Sequence, residues 1–578
     1  MNRRSRLRLL AAVCGVAALG LAGCATVPNV SQPRVVPAAQ GGNQSSQTSG
    51  PAKDADPWSL VRSFVQASAD PHGDHAAAKA YLTAAAAQHW NPNKSVTVIS
   101  DPFDTVPGPS PKDDPSTRTV ILRGHGIGKL AADSGFRPDA TDVEQQVHLR
   151  KQPNGQWRIV DPPPGVMITL PDFLRHYHQV RIYFYDQRLG IPVPDLRYAP
   201  VGPTDQVAGE VIDLLLSGPS QSLDGAVRSA IPPTAVNKSS VSQSGDGALL
   251  VNLAQLGNQG TDAKKRIAAQ LVLSLQSVTN NVIRVQADGE PLFPDHPDWR
   301  ANDVPSYDST IVPQPDQPGL VATDGKLVSL TDGKPIPGTA GSGEDKVVTA
   351  GQSIDGTRLA VVSRTATGEE LRVGRYGQAE LPVGLSAGTF TRPTWGPGNA
   401  ASGYEAWTVA DGQKVYRVVD GAGWHALPVD ASALTAIGPI TDLRLSRDGV
   451  RVAAVIGGRL VVASVLRQDG KVVIADPQVL QGGLLTSVVG VGWQDQTTIV
   501  AATASSSTPV VKVPVDGLQV DRYDTANLTP PLVAITAAPG RQVVVVDSDG
   551  LWTALDVGEI WRPNPFNPGP GAIPIYPG

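Results

Sequence analysis

The spacing of apolar positions changes character along the chain, and each change marks an element. Residues 9–22 are an unbroken apolar run behind Arg3, Arg4, Arg6 and Arg8. That run has the length of a secretory h-region and falls short of a membrane span. Residues 25–57 lose all periodicity in a mixture of Pro, Gln, Ser and Gly, which predicts a disordered tether. Helical spacing begins at Trp58 with Val61, Phe64 and Val65, and Asp70-Pro71-His72-Gly73 ends that element. The same period predicts a second, alanine-rich helix capped by Asp74, with Ala77, Ala80, Tyr81, Ala84 and Ala85 on its buried face and its end near Trp90-Asn91-Pro92. The period then shortens to two, predicting strands over 96–99, 119–124, 143–151 and 156–160. The last two are joined across Asn154-Gly155, a hairpin signal.

A second mixed segment starts at Gln179. An alternating strand over 180–185 stops at Asp186 and leads to a helix capped by Thr204, with Asp205 in its positive first turn. Val207, Val211, Ile212, Leu214 and Leu215 form its apolar face, which Ser217-Gly218-Pro219 closes. Strands over 239–242 and 248–253 flank Gly245-Asp246-Gly247. Thr261 and Asp262 then open a helix that places Ile267, Ala268, Leu271, Leu275 and Val278 on one face, before a final strand over 282–287. The predicted order is β-α-β-β-α-β.

After a Pro-rich passage over 304–318, only short strands and Gly or Asp turns remain. Apolar hairpins recur around Gly325, Gly368, Gly412, Gly458, Ser507 and Gly550, at spacings of 43, 44, 46, 49 and 43 residues. Two units share a leader, Ser353-Ile354-Asp355-Gly356 and Ser446-Arg447-Asp448-Gly449, and Trp395 and Trp493 hold the equivalent place elsewhere. This period suits the four-stranded blades of a β-propeller, here of about six, whose ring closure protects sheet edges. The first unit lacks a leader, so closure is expected to borrow strands from both ends of the region. Stacked β-sandwiches fit the regular period less well. The prolines after Trp561 predict a tail that extends no sheet.

The fold class is therefore multi-domain and mixed. Residues 1–23 are a signal, 24–57 the tether, 58–178 an α+β domain, 179–301 an α/β domain, 315–560 an all-β propeller and 561–578 a Pro-rich tail. The 578 residues suit several domains. Cysteine usage changes the picture most, because Cys14 falls in the signal and Cys24 ends it, so no thiol is left for a disulfide, a zinc site or a nucleophile.

Leu21-Ala22-Gly23-Cys24 resembles a bacterial lipobox, which implies cleavage between Gly23 and Cys24, then diacylglyceryl and N-acyl groups on Cys24. The alternatives are ordinary secretion with a chance cysteine, or twin-arginine export, from whose consensus Arg3-Arg4-Ser5-Arg6-Leu7 departs. Two acyl chains suffice for stable anchoring. The tether would reach roughly 30 Å as a coil. Without the four signal arginines the formal charge of -5, from 48 basic and 53 acidic residues, falls to -9, so nucleic acid is not the expected partner.

Candidate chemistry is sparse. Gly124-His125-Gly126-Ile127-Gly128-Lys129 has a phosphate-loop look, but Leu130 follows where a hydroxyl is needed. Asp547-Ser548-Asp549-Gly550 suggests a calcium loop, yet Leu551 follows at a ligand position, so a hairpin turn is the reading. His176 and His178 with His72, His75 and His89 have zinc-capable side chains, but the paired histidines suit solvated or hydrogen-bonded roles. The propeller region holds only His425, and no nucleophile elbow or His-Glu-x-x-His helix occurs. No catalytic residue, cofactor or metal is expected.

Two helices and a curved antiparallel sheet ending at Trp157-Arg158-Ile159-Val160-Asp161-Pro162 are similar to NTF2-like cone-shaped domains. Leu215-Leu216-Ser217-Gly218-Pro219, Ala230-Ile231-Pro232, Gln270-Leu271-Val272 and Ala287-Asp288-Gly289, in that order, resemble the GerMN domain of bacterial sporulation and germination lipoproteins. That family brings no catalytic residues with it. Lipobox, tether, helix-and-sheet domain, GerMN-like domain and propeller together resemble the LpqB lipoproteins of actinobacteria. The resemblance implies an accessory of the MtrA–MtrB two-component system, lipid-anchored on the extracytoplasmic face of the cell membrane. Its partner would be the extracytoplasmic part of the sensor kinase MtrB, in envelope homeostasis and cell division. The residues alone support a non-enzymatic, tethered binder. A lipoprotein that binds a cell-wall glycan or small ligand is the alternative, and a hydrolase a further one.

Overall fold

Asp56 starts the order: its carboxylate accepts from the backbone N–H groups of Trp58 and Ser59, each at 3.0 Å, and caps α1 (Pro57–Ala67). The computed structural model describes residues 50–578, apart from 112, 189, 305–311 and 315–316. The signal, Cys24 and all but the end of the expected tether lie outside the described residues. Helix α1 buries Leu60, Val61, Phe64 and Val65.

The single alanine-rich helix is replaced by two short ones, α2 (His72–Lys79) and α3 (Ala84–His89). The break is a strand contact. Ile159 N donates to Tyr81 O at 3.0 Å and Thr83 N donates to Ile159 O at 2.9 Å, so a sheet edge captures residues 81–83. Thr83 then caps α3. Asp74 is not a cap; it sits inside α2 at φ 55° and pairs with Lys79. Ala84 and Ala85 face solvent, and Ala86 is the buried residue.

The sheet beside these helices has the order β6-β5-β3-β1-β7. Its strands are β1 (Val96–Ile99), β2 (Asp104–Pro107), β3 (Thr117–Leu130), β4 (Phe136–Pro138), β5 (Asp142–Lys151), β6 (Trp157–Asp161) and β7 (Val166–Thr169), with β2 and β4 both paired to β3. It is antiparallel apart from β1 and β7, which run parallel from Val96↔Val166. Strand β3 is longer than expected because it runs through the glycines of the phosphate-loop look-alike. Those glycines serve close packing. A Cβ at Gly126 would overlap the Thr141 carbonyl, and one at Gly128 the Arg137 carbonyl and the Phe136 ring.

Helix α4 (Leu170–His176) leads without a linker into β8 (Tyr177–Asp186), and Tyr177 stacks on Phe173 with ring centres 4.8 Å apart. Strand β9 (Pro192–Pro200), unforeseen in the sequence, pairs with β8. It was hidden by Pro192, Pro194 and Pro200. These share one parity, so their missing N–H groups all fall on the edge away from β8. Helix α5 (Thr204–Ser217) has Pro203 rather than Thr204 at its N-cap, with Asp205 in its first turn as expected. The remainder comprises β10 (Val227–Arg228), β11 (Val236–Asn237), β12 (Ser242–Gln243), β13 (Leu249–Ala254), α6 (Thr261–Leu275), β14 (Ile283–Ala287), β15 (Glu290–Pro291) and β16 (Asp298–Trp299). One sheet is β10-β8-β9 and the other is built on β13 and β14, which are parallel. Both helices pack their apolar faces into one core with Phe184, Val251 and Val285.

The propeller has six blades. Blades two to six are four-stranded meanders, with second strands Arg358–Arg364, Glu405–Ala410, Arg451–Ile456, Thr498–Thr503 and Val543–Asp547. The recurring turns at Gly368, Gly412, Gly458, Ser507 and Gly550 each follow those strands, and the turn at Gly325 is its counterpart in blade one. The two leaders are one device. Ser353 Oγ donates to Asp355 at 2.6 Å and accepts from Arg358 N at 2.9 Å; Ser446 Oγ does the same with Asp448 at 2.5 Å and Arg451 N at 2.9 Å. The tryptophans are equivalent too, since Trp395 donates to Gly351 O at 2.9 Å and Trp493 to Arg444 O at 3.1 Å, each reaching the innermost strand of the preceding blade.

Blade one corrects the expected inert tail. Its inner strand is Ile573–Ile575, paired with Leu320–Thr323, so the last residues close the ring. Pro574 is tolerated because its carbonyl faces inward, where Arg392 donates to it at 2.8 Å. Hydrophobic clusters fill each blade-to-blade space.

Candidate functional site

Gly23 and Cys24, the predicted cleavage and lipidation residues, lie outside the described residues. The expected hairpin at 547–550 is present: Asp547 accepts from Asp549 N at 2.8 Å and from Gly550 N at 3.1 Å. The histidines take separate hydrogen-bond partners, although His72, His75 and His176 all lie within electrostatic reach of Asp70. His75 is buried with Nδ1 at 3.0 Å from Ser68 O, and burial holds its pKa below the usual range. His72 pairs with Asp70, and His89 reaches Ala85 O in its own helix. No group of three metal-capable side chains occurs among the described residues.

The GerMN-like motif pieces meet one another. Gln270, fully buried on α6, accepts from Ala230 N at 2.8 Å, so the second and third pieces are hydrogen-bond partners. The first piece is held by β9: Asp195 accepts from Ser220 N at 2.7 Å, and Arg197 donates to Gly218 O at 3.0 Å. Asp195 and Arg197 are themselves a buried pair at 2.7 Å. In the fourth piece, Gly289 N donates to Asn252 at 3.0 Å across the turn after β14. Each piece therefore serves the fold.

The propeller axis is filled from within. Arg444 donates to Pro393 O at 3.0 Å and pairs with Asp442 at 3.1 Å, while Arg447 donates to Pro577 O at 2.6 Å. Gly578 N donates to Gln352 O at 2.8 Å. Burial raises the Asp442 carboxyl against the opposing effects of Arg392 and of two backbone donors. The space left measures about 20 Å³, room for roughly one water.

Two propeller loops plug the other domains. Val450 enters the core of the GerMN-like domain, and Leu518 enters the core of the N-terminal domain, at 4% and 1% exposure. Beside Leu518, buried Asp516 accepts from the Tyr198 hydroxyl at 2.8 Å and from Gln179 at 3.3 Å. Burial and that carboxylate push the Tyr198 hydroxyl far up, and burial raises Asp516. Arg451 of blade four donates to Pro194 O at 2.6 Å, and Gln496 of blade five, the blade that also carries Asp516, donates to Pro192 O at 2.9 Å. The proline-bearing edge of β9 thus presents its carbonyls to the propeller. Arg137 pairs with Asp476 at 2.8 Å, and Ser464 donates to Ser222 O. These contacts make residues 50–578 one compact unit. None was foreseen, since Val450 and Leu518 are single apolar residues in turns and carry no period.

Next to this seam a cleft of about 1140 Å³ opens between β3 and β4 on one side and residues 477–484 on the other. Lys129 and Arg459 stand on its walls, and Ile127, Leu130 and Leu484 give it apolar surface.

Comparison with known proteins follows the same three parts. The family described as "Lipoprotein LpqB, N-terminal domain" matches residues 50–174, "Sporulation and spore germination" matches 181–293, and "Lipoprotein LpqB beta-propeller domain" matches 325–577. The first GerMN domain of the sporulation protein GerM from Bacillus subtilis aligns at 14% identity over 22% of this chain and 99% of its own, with a TM-score of 0.18. Lipoprotein LpqB of Rhodococcus jostii (strain RHA1) is 32% identical over 100% of both chains. Lipoprotein LpqB of Mycobacterium tuberculosis (strain CDC 1551 / Oshkosh) is 30% identical, again over 100% of both. With relatives matched from end to end and all three domains in the same order, the chain belongs to the LpqB lipoprotein family.

Proposed function

We propose that the protein is a non-enzymatic lipoprotein, anchored through Cys24 to the extracytoplasmic face of the cell membrane, that binds the extracytoplasmic part of the sensor kinase MtrB. Through that contact it modulates MtrA–MtrB signalling in envelope homeostasis and cell division. The observation that supports the binding role is the seam: Val450, Leu518 and the Tyr198–Asp516 bond join three domains into one body. The lipobox and the family supply the anchor, and no helix among the described residues is long and apolar enough to cross a membrane. The kinase itself comes from the resemblance of the whole chain to LpqB lipoproteins. Confinement to one membrane raises the effective concentration of both proteins, so a weak contact is well occupied in place.

Crosslinking in intact membranes tests this reading. Capture of the kinase by the wild-type chain is expected, together with altered kinase output under envelope stress when Cys24→Ala frees the body. If the kinase is never captured and its output is untouched by Cys24→Ala, the partner assignment fails.

A further inference from the structure

The propeller axis gathers positive charge around its smallest space. Arg392, Arg444 and Arg447 all line the axial cavity of about 20 Å³, and no Asp or Glu of the described residues lines it. Asp442 stands behind this lining, 3.1 Å from Arg444 and close enough to Arg392 to act on its charge. Arg444 and Arg447 are 5% and 4% exposed. Taking an ion out of water to this depth is costly unless an opposite charge meets it, and one carboxylate offsets only part of the charge around this cavity.

The hydrogen bonds of these arginines do not remove that charge. Arg392 donates to Pro574 O at 2.8 Å and to Val491 O at 3.3 Å, Arg444 donates to Pro393 O at 3.0 Å, and Arg447 donates to Pro577 O at 2.6 Å. Backbone carbonyls satisfy N–H groups and leave the net charge in place. Burial accordingly pulls the Arg447 guanidinium down to about 9 and lowers that of Arg392.

Two donors are left over at the same place. Arg444 Nε is buried with no acceptor among the described residues. Thr536, 3% exposed, accepts from Tyr576 N at 3.0 Å through Oγ1, and its own hydroxyl proton has no acceptor among the described residues. Both residues line the cavity. Excess positive charge, spare donors and room for roughly one water together select a single-atom anion. A water would take up the donors but bring no charge. A phosphate, a sulfate or a carboxylate-bearing ligand is too large for the space.

We infer that the axial cavity binds a chloride ion, held by the Arg444 Nε–H and the Thr536 hydroxyl beside the guanidiniums of Arg392 and Arg447. Those two arginines also hold Pro574 and Pro577 of the segment that closes the ring, so the ion couples ring closure to the anion in the surrounding medium. This site is independent of the partner proposed above.

The test follows thermal unfolding of the full chain in detergent, at constant ionic strength, as sodium chloride replaces sodium gluconate. A ligand bound only by the folded state raises the melting temperature, so a saturable rise of a few degrees is expected, with bromide able to replace chloride. Two variants should move the chloride midpoint in opposite directions. Arg444→Met removes a donor and a charge and should flatten the response. Asp442→Asn removes the competing carboxylate and should bring the midpoint to at least about tenfold lower chloride. A purely structural role for both residues would lower the melting temperature in each variant and leave the midpoint alone. Crystals of the wild-type chain soaked in bromide should show an anomalous peak in the axial cavity, a measurement that decides the matter even where a variant fails to fold. A melting temperature indifferent to chloride, a response equal in wild type and both variants, or a cavity that holds water and no bromide overturns the inference and leaves the arginines balanced by the chain's own carboxylates.

Discussion

The Tyr198 hydroxyl donates to Asp516 at 2.8 Å, across 318 residues of sequence, and this bond lies where all three domains meet. Tyr198 belongs to the second domain by strand and to the first by packing, because its ring rests against Phe136 and Phe173. Asp516 lies in a propeller turn whose next apolar residue, Leu518, fills that same first core. One phenol therefore reports on the integrity of the whole body.

Tyr198→Phe keeps the ring and removes the donor, leaving buried Asp516 with Gln179 and Leu518 N. The carboxylate loses its shortest hydrogen bond and Gln179 loses the phenol oxygen it donates to at 2.9 Å; removing one partner from buried polar groups costs about 1–3 kcal/mol, so urea unfolding should show a loss of that order. The domains should also begin to unfold separately, seen as divergence between tryptophan fluorescence and far-UV circular dichroism. Coincident, unshifted transitions would remove this bond from the seam.

A second buried relationship makes stability depend on pH. Glu380 and Asp345 are 1% and 9% exposed, with Thr339 Oγ1 donating to Glu380 at 3.1 Å and Arg372 3.5 Å from Asp345. Burial, then the hydrogen bond to Asp345, push the Glu380 carboxyl from 4.5 up to about 7. The folded state therefore holds a proton that the unfolded chain releases. That contribution is complete below about pH 4.5 and is lost as pH rises through about 7. The melting temperature should fall between about pH 5 and about pH 8, and Glu380→Gln should flatten that slope. An unaltered slope in the variant would assign the pH dependence to another group.

What the sequence revealed and what it hid divide along physical lines. The blades were legible because one unit repeats at 43–49 residues, and the Ser-x-Asp-Gly leaders proved to be the same turn twice. The GerMN-like pieces were legible as a set, but their mutual bonds through Gln270, Asp195 and Arg197 were not. Strand β9 and the closing strand were hidden by prolines, which sequence reasoning treats as strand breakers. Both strands turn the proline side toward carbonyl-seeking arginines, Arg451 and Arg392, where no N–H is needed. The cleft was beyond reach for a different reason. Its walls come from segments 339 residues apart, as Arg137 and Asp476 show, and no local period encodes such a meeting.

Cys24 is open to direct test through the lipobox that ends in it. Cys24→Ala should shift the protein from the membrane fraction to the soluble fraction, or leave an uncleaved precursor, and acyl labelling should disappear. Mature protein with unmodified Cys24 in the medium of wild-type cells would instead establish ordinary secretion.

Ring closure depends on C-terminal residues whose prolines predict a tail outside any sheet. Ile575 is 1% exposed and lies in the cluster that joins blade one to blade two, with Leu320, Leu327 and Leu359. Among the described residues its strand alone supplies blade one with an inner edge, and Tyr576 N donates onward to Thr536 in blade six at 3.0 Å. Removing residues 573–578 would leave Leu320–Thr323 with a bare edge facing the axis and would release the Arg392 and Arg447 contacts to Pro574 and Pro577. An open ring exposes strands that pair with other chains. The truncated chain should therefore aggregate, or melt well below the intact protein, on size-exclusion chromatography and calorimetry. Ile575→Asp separates the buried side chain from the backbone pairing. It keeps the strand and places a charge in an apolar cluster, so it should cost about 3 kcal/mol or more. If the truncated chain stays monomeric with an unchanged melting curve, the ring closes by some route other than this strand.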